Sequence, residues 1–445
     1  MNGRRAAVIG GGLAGITAAL ELAEAGAEVT LHEVRGRLGG AAYSFERDGL
    51  EVDNGQHVFL RCCTEYRALL RRLGSEPHTV LQERLAIPVL APGGRRGSLS
   101  RNGLPAPLHL AGSLAAYPFL SVAERIRAGR TALALSRLDL DEPALDDVSF
   151  GDWLAERGES AGSIEALWNL IALPTLNLPA GRASLAMAAM VFQTGLLSAA
   201  DAGDIGYSRV ALSRLHAEPA ERALREAGVE VRLKERVHAV RPGVELETDA
   251  GTSEADVVVV ALPQDRASAV LPPGAVVQPI GALGSSPIVN GHVIYDRRVT
   301  ELSFAAGLRT PVQWLFDRTA ESGLRHGQHL ALSLSGAERE MGMSNNELRA
   351  ELVPAVAELL PAAREARVTD FFVVREHAAT FSARPGSARL RPGPRTQVPR
   401  IFLAGAWTDT GWPATMEGAV RSGRAAAREA LATLGEVSPT MIEAR

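Results

Sequence analysis

The sequence predicts an α/β protein, α+β overall, in which two domains are interleaved along one chain. Its 445 residues exceed what one ordinary hydrophobic core encloses. Near the N-terminus, the stretch "RAAVIGGGLAGITAALELAEAGAEVTLHE" reads as a strand, a glycine turn, a helix and a second strand. Near the C-terminus, an apolar strand at 401–404 is followed by a loop and a helix. We therefore expect a sheet-based domain that uses both ends of the chain and a helix-rich domain from its middle.

The glycine turn after the first strand predicts a Rossmann-like site for a dinucleotide. The pattern G-x-G-x-x-G is formed around Gly10, Gly12, Leu13, Ala14 and Gly15. The first glycine permits the tight turn, the second lets the backbone approach a pyrophosphate, and the third lets the helix pack on the strand. The first amides of the helix then face the phosphates. Glu33 ends the second strand, where a carboxylate accepts the ribose hydroxyls, and this pattern suits NAD and FAD alike.

The residues that follow resemble one class of flavoprotein. In "HEVRGRLGGAAYS", Glu33, Arg35, Gly39 and Gly40 are similar to the E-x-R-x-x-x-G-G segment of the amine oxidase and phytoene desaturase superfamily. The resemblance implies that the cofactor is FAD and that the glycine pair passes close to the flavin. One position departs from the family, because Ala41 stands where Arg or Lys usually follows the glycine pair. A charged contact to the cofactor is then either missing or supplied elsewhere.

The C-terminal stretch "RIFLAGAWTDTGWPATMEGAVRSGRAAAREAL" resembles a signature of the same superfamily. The resemblance implies that Gly405 and a helix starting near Met416 lie at the flavin, where helix amides stabilise negative charge on the reduced ring. It also implies that the strand containing Val237 holds the adenine through its backbone. Ala406 is a second departure, since relatives usually carry an acid there for the ribityl chain.

These pieces divide the chain into a discontinuous FAD-binding domain and a substrate-binding domain. The expected segments are 1–95, 205–270 and 395–432 for FAD, 96–204 and 271–394 for the substrate, and a tail at 433–445. The uncharged stretch 183–200 is at the short limit for a bilayer span and contains polar residues. It is expected to line an apolar cavity, to dip into one leaflet, or to be a plain core helix.

The stretch "GLEVDNGQHVFLRC" predicts a strand interrupted by five residues that are costly to bury without partners. Asp53 and Asn54 are expected to close a local turn by hydrogen bonding to neighbouring amides. The superfamily resemblance implies that Gly55 and Gln56 lie against the cofactor and that His57 faces the substrate cavity or the edge of the flavin. A satisfied structural histidine is an equally open interpretation of His57.

The string "DNGQH" followed by an aliphatic-aromatic run resembles one subgroup, the hydroxysqualene dehydroxylases of bacterial hopanoid synthesis. That resemblance implies an apolar C30 isoprenoid substrate, whose allylic hydroxyl reduced FAD replaces by hydride to give squalene. Such chemistry needs an acid for the leaving oxygen and a cavity that excludes water. His57 is the candidate acid, because the ordinary histidine pKa lies near neutrality, and Glu417 is its competitor.

Several other functions compete with this interpretation. A carotenoid or phytoene-type desaturase shares the fold and cofactor but moves hydride from substrate to FAD. Ala41 and Ala406 leave room for a non-catalytic flavin-binding partner in a lipid-synthesis complex. Amine oxidation is disfavoured, since the only lysine, Lys234, falls in the adenine-side strand. The histidine spacing argues against a metal enzyme, and the helix-like residues before "GESAG" argue against a serine hydrolase.

Composition and charge define the expected surroundings of the protein. A net charge of −4 gives no sign of nucleic-acid binding. The adjacent Cys62 and Cys63, together with a first strand that no cleavable leader precedes, predict a cytoplasmic protein. A substrate dissolved in lipid predicts peripheral contact with the inner face of the cytoplasmic membrane. We assign neither the electron donor of the flavin nor the oligomeric state from the sequence.

Overall fold

Five β-sheets and a set of mostly short helices make up the residues that the computed structural model describes, 3–436. The strands in chain order are β1 (Arg5–Ile9), β2 (Glu28–Glu33), β3 (Ser44–Arg47), β4 (Leu50–Asp53), β5 (Val58–Leu60), β6 (Thr79–Leu81), β7 (Ala86–Ala91), β8 (Arg95–Ser100), β9 (Ile205–Ser208), β10 (Glu230–Leu233), β11 (Val237–Arg241), β12 (Glu245–Thr248), β13 (Gly251–Glu254), β14 (Val257–Val260), β15 (Ser285–Tyr295), β16 (Phe304–Gly307), β17 (Trp314–Asp317), β18 (Gln328–Ser335), β19 (Val368–Phe381) and β20 (Ile401–Leu403). The helices are α1 (Leu13–Glu24), α2 (Thr64–Leu73), α3 (Ala111–Ala116), α4 (Val122–Leu135), α5 (Phe150–Glu156), α6 (Ala161–Ser163), α7 (Asn169–Leu176), α8 (Leu185–Phe192), α9 (Glu218–Glu226), α10 (Gln264–Val270), α11 (Glu338–Met341), α12 (Asn345–Leu359) and α13 (Met416–Glu436).

A parallel five-stranded sheet, in the order β10–β2–β1–β14–β20, forms the α/β part of the fold. Strand β14 consists of four fully buried valines, which is the pattern of a strand covered on both faces. The sheet takes strands from the first, the middle and the last part of the chain. This architecture confirms the predicted α/β class, while the exact domain boundaries stay a prediction.

Helices α1 and α13 pack closely together because a glycine stands at their contact. A Cβ on Gly423 would lie 2.2 Å from the carbonyl oxygen of Ala14. Helix α13 continues to Glu436, so the tail predicted at 433–445 begins inside a helix. The remaining residues of that predicted tail lie outside the described part of the chain.

A seven-stranded sheet, in the order β19–β15–β18–β17–β16–β7–β8, forms the second large layer. Neighbouring strands are antiparallel except β16 and β7, which run parallel. Helix α12 covers one face and shares an apolar cluster with β15 and β18. The boundary predicted at residue 95 assigns β7 to the FAD-binding domain, whereas β7 pairs with β8 and β16 in this second sheet.

Helices α3 to α8 lie between β8 and β9 in the chain, and an aromatic cluster sits among them. The rings of Phe150, Trp168 and Phe192 are buried with centroids 5.3–5.9 Å apart. The stretch 183–200 forms α8 and a π-helical turn, and every residue of α8 except Ala186 is buried. It is therefore a core helix. Within residues 3–436, no helix combines the length and apolarity needed to cross a bilayer.

Replacing Gly423 by alanine is expected to push α13 away from α1, because a contact of 2.2 Å with a backbone oxygen is removed only by moving a helix. We expect a loss of about 1–3 kcal/mol in stability, seen as a lower thermal unfolding midpoint. Gly435→Ala in the same helix is the control, since a Cβ there meets nothing within 4 Å and alanine favours helix. Equal midpoints for the two variants would contradict the close-packing interpretation.

Candidate functional site

The turn between β1 and α1 has two glycines with no room for a side chain. Gly10 has a φ of 108°, and a Cβ on it would lie 2.5 Å from the carbonyl oxygen of Ala261. A Cβ on Gly15 would lie 1.9 Å from the carbonyl oxygen of Gly10. The helix amides that precede Gly15 belong to Gly12, Leu13 and Ala14. Because the first amides of a helix have no partner inside it, the turn offers a backbone surface suited to a negatively charged group.

Glu33, the predicted ribose acid, is buried beside the same turn. Its Oε2 accepts a hydrogen bond of 2.7 Å from the amide of Gly11, and its Oε1 accepts one of 2.7 Å from the amide of Arg35. Each carboxylate oxygen has a second lone pair, so the group still accepts hydroxyl donors. The structure thus brings Glu33 and Arg35 to the glycine turn.

The predicted glycine pair packs directly against the first turn. The amide of Gly39 donates to the carbonyl of Gly11 over 2.9 Å. A Cβ on Gly40, whose φ is 59°, would lie 2.7 Å from the Cα of Gly12. Two glycine-rich turns therefore meet back to back, and together they form a cradle lined by backbone atoms.

Val237, predicted to hold adenine, begins β11 close to the end of β2. The amide of Glu235 donates to the carbonyl of Glu33 over 3.1 Å, which sets the start of β11 beside Glu33. His32 and Glu235 reinforce this junction through a buried contact of 2.6 Å between Nδ1 and Oε2. Burial lowers the pKa of His32 despite this carboxylate. Val237 and Glu33 thus lie on neighbouring elements.

The C-terminal loop meets the glycine turn at the carboxyl edge of the parallel sheet. Gly405 follows β20 with a φ of 142°, and a Cβ on it would lie 2.5 Å from Nε1 of Trp407. Its amide donates to Oγ of Ser422 in α13 over 2.8 Å. Helix α13 begins at Met416 and packs on α1. Gly405 and Met416 therefore lie at the same edge of the parallel sheet as the two glycine turns.

Asp53 and Asn54 do not close a local turn, which corrects the expectation from the sequence. The Asp53 carboxylate accepts from Oγ of Ser44 over 2.7 Å, from the amide of Leu212 over 2.9 Å and from Nη2 of Arg318 over 2.8 Å. The ion pair with Arg318 is buried. Because Asp53 ends the extended strand β4, its side chain reaches other segments of the chain and not its neighbours' amides.

Asn54 holds the interrupted strand to the turn that follows the glycine pair. Its Oδ1 accepts from the amide of Tyr43 over 3.1 Å, and its Nδ2 donates to the carbonyl of Ala41 over 2.9 Å. The same Nδ2 lies 2.8 Å from Oε1 of Glu376 in β19. Asp53 and Asn54 therefore both have hydrogen-bond partners from other segments, and these bonds offset the free-energy cost of burying the two side chains.

Gln56 and His57 follow Gly55 and face a small cavity, which we call the His57 cavity. It is lined by Asp53, Gln56, His57, Val58, Tyr207, Ser208, Leu212, Phe316 and Arg318. Nδ1 of His57 lies 3.1 Å from the carbonyl oxygen of Gly55, and burial lowers the pKa of His57 below its ordinary 6.5. Nε2 of Gln56 is buried without a hydrogen-bond partner among the described residues. A donor is therefore left for a bound molecule.

Glu417, the competing acid, is already engaged. Its buried carboxylate accepts from the amides of Glu65 over 3.2 Å and Tyr66 over 2.7 Å, at the start of α2. Nε of Arg421 donates to the same carboxylate over 2.7 Å. Glu417 therefore caps α2 from a neighbouring helix, and of the two candidates only His57 lines the cavity.

The profile of the family described as flavin containing amine oxidoreductase matches residues 13–431. The chain belongs to this family. It is accordingly a flavin-dependent oxidoreductase.

Individual relatives support the same assignment. A hydroxysqualene dehydroxylase of Rhodopseudomonas palustris is 29% identical, over 96% of this chain and 98% of that protein. A zeta-carotene desaturase of a Synechocystis species is 26% identical, over 98% of this chain and 99% of that protein. A solved structure of a putrescine oxidase triple mutant, 20% identical, has a TM-score of 0.75 and covers 96% of this chain and 99% of its own, which supports the fold. The predicted resemblance to hydroxysqualene dehydroxylases is confirmed.

The first departure from the flavoprotein pattern, Ala41, has a charged neighbour that the sequence reasoning missed. Nη1 of Arg37 donates to the carbonyl of Gly40 over 3.2 Å. The guanidinium also stacks on the ring of Tyr43, 3.7 Å from its centroid. A positive charge therefore stands beside the glycine pair although the usual position holds alanine. Arg37 was not singled out because the pattern names only the residue after the pair.

The second departure, Ala406, also has an arginine nearby. Arg391 is buried and donates to the backbone carbonyls of Trp407, Thr408 and Trp412. Burial lowers its pKa to about 10, so it stays charged at neutral pH. It holds the C-terminal loop in shape. No local motif marks it, because its partners lie beyond β20.

Gly40→Ala is expected to weaken flavin retention, because its Cβ would force the two glycine turns apart. We expect a loss in flavin affinity of roughly tenfold or more, equivalent to about 1.4 kcal/mol. The measurement is the ratio of flavin to protein absorbance after gel filtration. Gly49→Ala is the matched control, since its φ of 78° brings the same backbone strain but nothing lies within 4 Å of a Cβ. If both variants lose flavin equally, strain and not close approach is responsible.

Asp53→Asn is expected to destabilise the protein by about 3 kcal/mol, because the buried Arg318 would lose its closer carboxylate and keep only Glu321, 3.7 Å from Nη1. The thermal unfolding midpoint should fall by roughly 3 °C. Asp265→Asn, which removes an exposed contact with Arg266, is the control and should cost less than about 1 kcal/mol. A variant at position 53 as stable as the control would show that the ion pair does not hold the strand.

Proposed function

We propose that this protein binds FAD and removes the allylic hydroxyl of hydroxysqualene reductively, giving squalene. The observation that carries the proposal is a titratable side chain, His57, in a cavity whose other walls include aromatic rings. The near full-length similarity to a hydroxysqualene dehydroxylase supports the substrate. The string "DNGQH", which places His57 after the interrupted strand, supports the same subgroup.

The contacts that the two glycine turns offer support FAD as the flavin. The first amides of α1 suit the pyrophosphate, and the Glu33 carboxylate suits the ribose. The residues that would hold the cofactor are Gly10, Gly12, Leu13, Ala14, Gly15, Glu33, Arg35, Gly39, Gly40, Gly55, Gln56, Val237, Gly405 and Met416. When bound in its reduced form, FAD supplies the hydride that replaces the hydroxyl.

His57 gives a proton to the leaving oxygen. The Gly55 carbonyl only accepts, so Nδ1 carries a hydrogen and Nε2 is the nitrogen that exchanges a proton with the substrate. Burial lowers the pKa of His57, which makes its protonated form a stronger acid than a histidine in water. The low pKa therefore favours the transfer of the proton to an alcohol.

Aromatic side chains keep water from the reacting carbon. Tyr207 and Phe316 line the His57 cavity, and Phe304 packs between them with centroids 5.8 Å and 6.1 Å away. Trp314 extends this wall, 6.2 Å from Phe304. A dry, apolar wall protects an allylic cation from capture by water.

A carotenoid desaturase is the second candidate, because the zeta-carotene desaturase similarity also spans nearly the whole chain. In that reaction hydride leaves the substrate and no oxygen needs a proton. His57 would then have no acid role. The dependence of turnover on His57 consequently separates the two functions.

We also infer a cytoplasmic location with peripheral contact at the inner face of the cytoplasmic membrane. The inference follows from the lipid solubility of an isoprenoid substrate. The small negative net charge supports the absence of a nucleic-acid partner.

An anaerobic assay of the flavin-loaded, chemically reduced protein with hydroxysqualene tests the proposal. We expect squalene to appear together with flavin reoxidation. Phytoene or zeta-carotene with the oxidised protein is the parallel arm, and their desaturation with hydroxysqualene untouched would establish the desaturase. Retained flavin with no turnover in either arm would favour the non-catalytic flavin-binding partner.

His57→Gln is expected to lower kcat/KM for dehydroxylation by about a hundredfold or more, because an acid catalyst is lost. In the unchanged protein, kcat/KM should rise as the pH falls below 6.5, since the protonated form of His57 fills only as the pH approaches its lowered pKa. That rise should vanish in the variant. His326→Ala, at an exposed histidine, is the control and should keep both rate and pH profile. An unchanged pH profile in His57→Gln would exclude His57 as the acid.

A further inference from the structure

Helix α4 exposes apolar side chains on its outer face. Val122 is 68% exposed and Ile126 54%, and Leu133 is exposed on the same face. At 3.6 residues per turn these three lie within about 40° of one another around the helix. The opposite face contains the buried Thr131 and Leu135. Helix α4 thus exposes large apolar side chains on the face where a water-facing helix usually has polar ones.

The residues before α4 extend this apolar surface. Leu104 and Leu108 are half exposed or more, and they lead into α3, which packs against α4. Of the nine large exposed apolar side chains of residues 3–436, six lie between Leu104 and Leu140. We call the surface formed by Leu104, Leu108, Val122, Ile126 and Leu133 the α3–α4 face. Such clustering marks an interaction site, whereas single exposed apolar residues are ordinary.

Helix α4 has an excess of positive charge, with three arginines and one acid between Val122 and Leu135. The acid, Glu124, accepts hydrogen bonds from Ser121 and Ser160 as a helix cap. Arg101 is paired with Asp204, and the acids Asp139, Asp141 and Glu142 follow the end of α4. Arg130 lies one turn after Ile126 in α4, and Arg137 lies just after the end of the helix. Both are exposed, and neither lies within 4.0 Å of a described carboxylate. Unpaired arginines beside exposed apolar side chains complement a surface that is apolar inside and anionic at its edge.

An apolar cluster connects α3 to the His57 cavity. The cluster includes Ile87, Tyr117 and Phe304. Leu110, just before α3, and Leu114, in α3, pack against it. At its other end the same cluster includes Phe316 and contacts Tyr207, which both line the His57 cavity. Apolar side chains are therefore continuous from the inner side of α3 to two residues that line the His57 cavity.

We propose that the α3–α4 face docks on an anionic lipid bilayer and is the surface through which a lipid-dissolved substrate reaches the His57 cavity. The substrate route rests on the function proposed above, whereas the docking rests on the exposed apolar groups and arginines alone. A second copy of the chain is disfavoured as the occupant, because a twofold interface would bring the same arginine-bearing face of both copies together. Anionic headgroups pair with Arg130 and Arg137.

Vesicle co-sedimentation of the flavin-loaded full chain tests the docking. The probes are phosphatidylcholine vesicles and vesicles with equal phosphatidylcholine and phosphatidylglycerol, each at low and high sodium chloride. We expect preference for the anionic vesicles and weakening by salt. Arg130→Gln with Arg137→Gln should reduce anionic binding on the order of tenfold or more, since each arginine near such a surface contributes about fivefold.

A second variant tests the apolar part. Leu108→Ser with Val122→Ser and Ile126→Ser should lower binding to both kinds of vesicle at all salt concentrations. Val277→Ser is the matched control, because Val277 is 74% exposed but distant in sequence from the face, and Arg266→Gln is the control for charge. Flavin content and unfolding midpoint of every variant report correct folding.

The outcomes are separable from those of the functional assay. Vesicle binding needs no turnover, so a protein that binds lipid but leaves hydroxysqualene untouched supports the docking and refutes the proposed reaction. Folded variants that bind vesicles as well as the unchanged chain would overturn the docking proposal. A dimer in solution that the serine variants dissociate would overturn it too, because the face would then join two copies.

Discussion

The buried ion pair between Asp53 and Arg318 is the interaction on which the candidate catalytic strand depends. Burying two charges is costly unless every polar atom finds a partner. Here the carboxylate also accepts from Ser44 and Leu212, and the guanidinium also donates to the carbonyl of Ser208. These partners come from separate segments of the chain. The five-residue interruption is therefore a junction, and His57 reaches its cavity because that junction is closed.

The part of the site that we assign to the cofactor is built from backbone atoms, whereas the His57 side depends on an ion pair between side chains. Gly40 lies so close to Gly12 that a Cβ on Gly40 would be 2.7 Å from the Cα of Gly12, and the second turn accepts no side chain at this contact. Helix amides and polarised backbone then bind anionic groups without a dedicated cation. Arg37 donates to the Gly40 carbonyl in the second glycine turn, and Arg391 donates to carbonyls of the C-terminal loop. Arg37 and Arg391 thus bring positive charge close to Ala41 and Ala406, the two positions that depart from the flavoprotein pattern.

The parts of the fold and site that depend on local spacing were predictable, and those that depend on distant partners were not. The strand, turn and helix around Gly10 follow from glycine spacing, because the required φ angles and close contacts are set within a few residues. The partners of Asp53 lie far along the chain, so a local turn was the wrong expectation. Arg318 and Arg391 are single arginines in an arginine-rich chain, and no pattern distinguishes them. The stretch 183–200 has a composition common to core and lipid-facing helices. Only the burial of α8 in the structure shows that it is a core helix.

The ion pair also bears on the acidity of His57. Burial is the largest influence on the pKa of His57, and it lowers that pKa. The hydrogen bond to the Gly55 carbonyl and the charges of Asp53 and Glu376 raise the pKa, whereas Arg318 lowers it. A carboxylate without a partner would hold the imidazolium and make it a weaker acid. By pairing Asp53 with Arg318, the protein keeps the polar junction that the strand needs and offsets part of the influence of the carboxylates on His57. Burial of the imidazole therefore sets the direction in which its pKa moves.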